Sequence, residues 1–157
     1  MKVECCWIGK TQEPYLEEGL RTYEKRLKHY LPFEVVLISD IRSAGKCLPE
    51  EVKRQEGERI LSRLKPEDYL VLLDEKGQSF PSVQFARWMD QRMQMTHKRL
   101  IFQVGGAFGF SEEVYKRANA KLSLSEMTFS HQMVRLFFLE QLYRAMTILR
   151  NEPYHNE

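Results

Sequence analysis

Short apolar runs of strand length alternate with helical patterns along the whole chain, and this alternation limits the fold more than any other feature. Four such runs, at residues 2–8, 33–38, 69–73 and 100–104, are bounded by polar or glycine-containing segments. Apolar strands with little polar alternation are typical of a parallel sheet that is covered on both faces. The pattern therefore predicts an α/β fold, a three-layer sandwich with a mainly parallel sheet.

Helical patterns fill the intervals between these strands. Pro14 and Pro49 open the first two helices, a position that proline tolerates because its missing N–H would have no partner there. The third helix is predicted at about residues 82–95. Ser111 begins the fourth as its N-cap, and a short fifth strand follows at about residues 120–124.

The final helix, from about residue 131 to 150, is apolar on nearly every side. A helix of this kind must be buried on more than one face. In a small domain we expect the sheet to cover one side and a second subunit to cover the other. The alternative is a central helix that is buried inside one chain.

Composition limits the classes of function. The 157 residues, which we expect to form a single domain spanning 1–157, are 43% hydrophobic and 29% charged, as is typical of a globular protein. A formal net charge of +2 provides little general attraction to nucleic acid, so affinity for RNA would need local patches or a large pre-assembled target. Neither a signal peptide nor an apolar stretch of about 18 residues is present, which predicts a cytoplasmic protein without a membrane span.

Cysteine and histidine show no metal-ligand spacing. The three cysteines form no CxxC or CxxH pair, and the four histidines are scattered along the chain, so we expect no metal. Cys5 and Cys6 are adjacent in a predicted strand and point to opposite faces. We expect all three cysteines, Cys47 included, to be buried as small hydrophobic side chains.

A glycine-rich loop, GGAFG at residues 105–109, lies directly between a strand and a helix. Glycine lets a ligand approach the backbone closely, and ligands of open parallel sheets bind beyond the carboxyl ends of the strands. The loop is not a P-loop, because no Gly-Lys-Ser/Thr follows it, and it lacks the GxGxxG spacing of dinucleotide sites. A tight turn without a ligand is the alternative interpretation.

Two further segments near the C-terminus stand out. Residues 122–135, LSLSEMTFSHQMVR, join the last strand to the final helix and would lie beside the glycine loop if their strands are neighbours. Turn and cap chemistry is the alternative explanation for Ser123 and Ser125. The polar tail at residues 151–157, NEPYHNE, would by default be frayed.

These C-terminal segments resemble one enzyme family. GGAFGFS, then LSLSEMTFSHQMVRLFFLEQLYRAM, then the terminal NEPYH, together with LLDEKGQ at residues 72–78, are similar to the bacterial 23S ribosomal RNA pseudouridine N3-methyltransferases of the SPOUT class. The resemblance covers the whole chain. It implies a C-terminal trefoil knot, a homodimer, S-adenosylmethionine bound by the knot, and a pseudouridine of 23S ribosomal RNA as substrate. The low net charge favours the assembled ribosome as the form in which this RNA is methylated.

The resemblance also implies the residues that contact S-adenosylmethionine, which are Leu73, Gly105, Leu124, Ser125, Glu126, Met127, Thr128 and Phe129. Adenine needs apolar walls and exposed backbone groups, and glycine would leave room for the methionine arm. The backbone of Glu126 is assigned to the site, not its carboxylate. Ser130 stands where some members of the family carry proline.

The chemistry implied is displacement at the sulfonium methyl by N3 of pseudouridine, which must lose a proton. His155 is our candidate for assisting that proton transfer, and Tyr154 for stacking on or orienting the base. Arg135 is placed with the catalytic residues as a candidate for phosphate binding. Arg144 has the same option, although its spacing from Glu140 favours a helix ion pair, and His131 is assigned to capping or packing.

Three alternatives remain open. A non-catalytic ribosome-binding protein would share the fold without needing S-adenosylmethionine. A nucleotide-binding domain that transfers phosphate or hydride is disfavoured by the absence of its fingerprints. A SPOUT enzyme that methylates transfer RNA differs only in its target, which the residues alone do not specify.

Overall fold

The computed structural model describes residues 1–41 and 44–156, and all structural statements refer to them. The described elements run, in chain order, as β1 (Lys2–Ile8), α1 (Pro14–Leu27), β2 (Phe33–Ile38), a 3₁₀ turn (Ala44–Lys46), α2 (Pro49–Ser62), β3 (Tyr69–Ser79), α3 (Ser82–Met93), β4 (Arg99–Val104), α4 (Glu112–Arg117), β5 (Ala120–Ser123) and α5 (Met133–Leu149). The five strands form one sheet in the order β2-β1-β4-β3-β5, and every neighbouring pair is parallel.

Helices cover both faces of this sheet. The core on one face joins the sheet to α1, α3 and α5, whereas the core on the other face joins it to α2 and α4. Cys5 belongs to the first core and Cys6 to the second, and both are fully buried, as predicted. Cys47, which we also expected to be buried, is only partly buried. Burial raises the pKa of the Cys6 thiol to about 11. The predicted three-layer α/β architecture with a parallel sheet is therefore confirmed.

The element boundaries agree with the sequence patterns at most positions. Strands β1, β2 and β5 and the proline starts of α1 and α2 lie where they were predicted. Ser111 is the N-cap of α4, and its side chain accepts a hydrogen bond from the Val114 N–H at 3.4 Å. The final helix begins at Met133, two residues later than predicted. Among the helices of the described chain, none has the length and apolarity needed to cross a membrane.

Strand β3 is longer than predicted, because it continues past residue 73 to Ser79. Leu73 and Gln78 both pair with Leu122 of β5, so residues 74–77 bulge out of the ladder. Gly77 allows this bulge to close. A β-carbon built on Gly77 would lie 2.6 Å from the Lys121 carbonyl carbon, which is closer than side chains approach a backbone.

Helix α5 is covered by more of its own chain than we expected. Besides the sheet, α1 and α3 pack against it, with Phe138 and Leu142 fully buried. Within the one chain, therefore, much of its apolar surface already has partners. Phe137 is the exception among its large apolar side chains, because it stays 41% exposed.

Candidate functional site

A cleft of about 630 Å³ lies at the carboxyl ends of β3, β4 and β5. Its walls come from the bulge of β3, the glycine loop after β4, and the segment that joins β5 to α5. These segments lie side by side because β3 has β4 and β5 as its two neighbours in the sheet. The site is thus where parallel α/β sheets ordinarily bind ligands.

The structure brings seven of the eight residues assigned to the cofactor together around this cleft. They are Leu73, Gly105, Leu124, Ser125, Met127, Thr128 and Phe129. Glu126 does not line the cleft. Segments that are separate along the chain therefore form one concave surface.

Hydroxyl groups hold the segment that follows β5 in place. The Ser123 hydroxyl donates to the Ser125 carbonyl at 3.0 Å, and the Ser125 hydroxyl accepts from the Met127 N–H at 2.9 Å. Thr128 donates to the Glu75 carboxylate at 2.7 Å, across the cleft mouth from the β3 bulge. The same serine and threonine side chains therefore form the turns of this segment and hold it in place at the cleft.

Gly105, which lines the cleft, is closely packed by an aromatic ring. A β-carbon on Gly105 would meet the buried ring of Phe110 at 3.2 Å. Gly109 adopts a φ of 85°, in the region that favours glycine. The glycines therefore serve the fold of the loop first.

Acidic groups line the cleft mouth, and the sequence reasoning did not include them. The Asp74 carboxylate accepts from the Tyr115 hydroxyl and from the Lys76 N–H. Burial, together with the bond to Asp74, raises the pKa of Tyr115 above its ordinary value. Asp74 and Glu75 directly follow Leu73, so their position at a strand end was a usable signal. Tyr115 lies on α4, and no feature of the sequence indicated that it would reach the cleft.

Arg135 is fully buried inside the chain. Its guanidinium donates to the carbonyls of Ile8 at 2.8 Å and Gly9 at 3.0 Å, and to the Thr11 hydroxyl at 3.1 Å. Burial lowers its pKa to about 10, so it remains cationic at neutral pH. The side chain ties α5 to the end of β1 and does not line the cleft.

The tail is ordered against α1 and α5 instead of being frayed. Asn151 has a φ of 56°, and the Glu152 N–H bonds to the Thr147 carbonyl at 2.9 Å, which closes the end of α5 in a Schellman motif. The Tyr30 hydroxyl donates to the Glu152 carboxylate at 2.6 Å. The chain therefore reverses direction after α5 and packs back along it.

Tyr154 and His155 are held by the side of α5. The Tyr154 hydroxyl donates to Glu140 at 2.9 Å and lies 3.2 Å from the Tyr23 hydroxyl, and burial with these bonds raises its pKa. The Nδ1 atom of His155 lies 3.0 Å from Arg144, which pairs with Glu140 at 2.5 Å as its spacing predicted. Neither tail residue lines the cleft of its own chain.

His131 lines the cleft, although the sequence suggested only capping or packing. Burial, with the nearby charge of Arg135, lowers the pKa of its ring. The described residues contain no group of three or more His, Cys, Asp or Glu side chains arranged to hold a metal ion.

Comparison with known proteins agrees with this geometry. A sequence profile described as "Predicted SPOUT methyltransferase" matches residues 1–155. A protein of Parabacteroides distasonis is 55% identical over the full length of both chains, and one of Christiangramia forsetii is 53% identical over 99% of each. A Bacteroides fragilis protein is 46% identical over the full length of both. All three bear the name "Ribosomal RNA large subunit methyltransferase H". The chain therefore belongs to the SPOUT methyltransferase family.

Proposed function

We propose that this protein transfers a methyl group from S-adenosylmethionine to N3 of a pseudouridine in 23S ribosomal RNA within the assembled ribosome, in the cytoplasm. The observation that carries the proposal is the cleft that the two motif loops form at the ends of β3, β4 and β5. Family membership supports the reaction type. The shared name of the relatives supports the large-subunit RNA, and the resemblance of the motifs supports the pseudouridine.

The residues around the cleft fit S-adenosylmethionine. Its volume of about 630 Å³ lies within the usual range of about 300–1,000 Å³ for small-molecule sites. Leu73, Leu124 and Phe129 offer apolar walls for adenine, while Asp74 and Glu75 place negative charge near a cationic ligand. We assign Glu126 no contact with the cofactor; it only separates Ser125 and Met127, which line the cleft.

When bound, S-adenosylmethionine supplies a methyl group that its positive sulfonium has already activated, so the protein has mainly to align the acceptor with it. The N3 proton of the base must leave before or during transfer. We assign its acceptance to His155, because an imidazole nitrogen is the general base that proteins use most often. Tyr154 would stack on or orient the base.

The proposal places the tail of one subunit at the cleft of a second copy, because Tyr154 and His155 lie outside the cleft of their own chain. Exposed apolar side chains near the cleft support a homodimer: Phe108, Met127 and Phe137. The rings of Phe129 and Phe137 lie 4.9 Å apart and connect the cleft segment to α5. We further propose that this segment and the glycine loop belong to the trefoil knot typical of the family.

Arg135 has a positioning role in this proposal. Its bonds fix the end of β1 relative to the start of α5, and so hold His131 at the cleft. Arg144, paired with Glu140 and close to His155, orients the tail before it meets the second subunit.

Calorimetry with S-adenosylmethionine tests the site. Thr128→Val keeps the side-chain shape but loses the bond to Glu75, so we expect affinity to fall about 3- to 10-fold, the usual worth of one hydrogen bond. Thr22→Val is the matched control, because its hydroxyl bonds to the Glu18 carbonyl on an exposed turn of α1. Equal affinities in the two variants would contradict the site, and no binding by the parent protein would contradict the proposed function.

A further inference from the structure

His131 lies in the turn just before α5 and lines the cleft that we assign to S-adenosylmethionine, the cofactor cleft. Its backbone is firmly held. The Arg135 guanidinium donates to its carbonyl at 3.2 Å, and the side chain of the next residue, Gln132, accepts from the Gln12 N–H at 3.0 Å. Its ring, in contrast, forms no hydrogen bond with the residues that the structure describes. A fixed backbone thus presents a ring whose nitrogens can bind a substrate.

The other side-chain donors of the cofactor cleft serve the structure of the cleft itself. The hydroxyls of Tyr115 and Thr128 donate to carboxylates at the cleft mouth. The serine hydroxyls at positions 125 and 130 accept backbone N–H groups within turns. Lys76 is exposed on the bulge of β3. Among the described residues that line this cleft, His131 is therefore the partly buried donor that is left for the target base.

We propose that the His131 ring donates a hydrogen bond to a carbonyl oxygen of the target base and stabilises the negative charge that develops as N3 loses its proton. This inference rests on the proposed function. N3 of pseudouridine lies between two carbonyl groups, so negative charge at N3 spreads onto their oxygens. N3 forms its bond to the methyl carbon while the bond from that carbon to sulfur breaks, and sulfur keeps the electron pair. The N3 proton goes to the base that we assign to the tail, and His131 keeps its own proton throughout.

The charge around His131 favours such a donor. A second cleft, of about 400 Å³, adjoins the cofactor cleft, and His131 lines both. The described residues that line the two clefts carry more negative than positive side chains: Asp40, Glu56, Asp74 and Glu75 against Lys10 and Lys76. These carboxylates oppose negative charge on the base. A hydrogen-bond donor held in place at the carbonyl oxygen lowers this cost, because it acts where the charge develops.

The ring of His131 suits this role in its neutral form. Burial, and then the charge of Arg135, lower its pKa from the ordinary value, which favours the neutral ring at physiological pH. A neutral imidazole still carries one N–H that can donate. It also avoids the repulsion that a positively charged ring would exert on the sulfonium of the cofactor.

Single-turnover methylation of ribosomes from a strain that lacks this gene tests the inference, at saturating S-adenosylmethionine and from about pH 6.5 to 9. His131→Leu removes the donor, so near neutral pH the rate should fall about 10²-fold, as on removal of one donor to a developing oxyanion. The loss should shrink as the pH rises, because a base that has already lost its proton needs less stabilisation. A purely structural role would lower the rate equally at every pH. Calorimetry should find the affinity for S-adenosylmethionine close to that of the parent, which shows that the variant is folded.

Two further variants and a control complete the test. His131→Gln keeps an N–H donor and should recover about 10-fold of the lost rate. His131→Ala is the second variant without a donor, in case leucine prevents folding. His29→Leu, which replaces an exposed histidine just after α1, is the matched control and should keep the parent rate.

The possible outcomes separate this inference from the proposed function. Parent rates in the folded variants without a donor, a loss that is equal at every pH, or a glutamine variant no faster than the leucine variant would each overturn the inference. A loss that disappears at saturating S-adenosylmethionine would assign His131 to cofactor binding and overturn it as well. Failure of the parent protein to methylate the ribosomes would instead overturn the proposed function.

Discussion

Gly77→Ala tests whether the close contact between β3 and β5 holds the cofactor cleft together. An added methyl would lie 2.6 Å from the Lys121 carbonyl carbon and 2.7 Å from the Leu122 nitrogen. Ordinary contacts between heavy atoms lie at about 3.5–4.0 Å, so the two strands must separate by about 1 Å. Both neighbours are backbone atoms, which cannot turn aside as a flexible side chain would.

Overpacking of this kind costs about 1–3 kcal/mol in the free energy of unfolding. For a chain of this size, each kcal/mol lowers the midpoint of thermal unfolding by about 2–4 °C, so we expect a decrease of about 2–12 °C. Because β5 leads directly into the cleft segment, the affinity for S-adenosylmethionine should fall as well, by about 10-fold if the loop loses about 1.4 kcal/mol of binding free energy.

Calorimetric unfolding and calorimetric titration measure the two effects on the same protein. Gly45→Ala is the matched control, because a β-carbon on Gly45 would have no atom within 4 Å. We expect that variant to change stability by less than about 0.5 kcal/mol, as surface substitutions usually do. Parent values of both the unfolding midpoint and the affinity in Gly77→Ala would refute the packing argument.

Three further changes test other parts of the account. Deleting residues 153–157, or replacing His155 by alanine, should lower the single-turnover rate of methyl transfer by about 10²–10⁴-fold with unchanged cofactor affinity; a full rate after truncation would contradict the role of the tail. Because the folded state lowers the pKa of His131, the free energy of unfolding should fall as the pH drops below about 6.5, the ordinary pKa of histidine. Urea unfolding should show a smaller fall in His131→Asn, and identical pH profiles would contradict this. Arg135→Met should lower the free energy of unfolding by about 2–4 kcal/mol, since four acceptors lose their donor while the cost of burying a charge is relieved. Lys25→Met, at an exposed position of α1, should not lower the free energy of unfolding. Equal stability of the two variants would contradict the structural role of Arg135.

Much of the fold could be predicted because the sequence carries it in local patterns. Apolar runs and proline or serine starts located most boundaries to within two residues. The extension of β3 was missed, since DEKGQ is polar and pairs with β5 only through a bulge. The packing of α1 and α3 against α5 was not predicted, because no local pattern states which helices lie next to it.

The candidate site, like the fold, could be predicted where local sequence patterns determine it and not where distant contacts do. The two cofactor loops follow strands that are neighbours of β3 in the sheet, so a strand-end rule and the family motifs led to seven residues that do meet. The burial of Arg135 depends on the distant end of β1, to which no local signal points.

The central claim is methyl transfer to a pseudouridine of 23S ribosomal RNA, and one measurement tests it most directly. Ribosomes from a strain that lacks this gene are incubated with the purified protein and S-adenosylmethionine, and their RNA is digested and analysed by mass spectrometry. We predict one new methylated nucleoside, N3-methylpseudouridine, in 23S RNA of the assembled particle and little in an isolated stem-loop, because a net charge of +2 gives little attraction to naked RNA. Methylation of transfer RNA, or no methyl incorporation into 23S RNA, would contradict the claim.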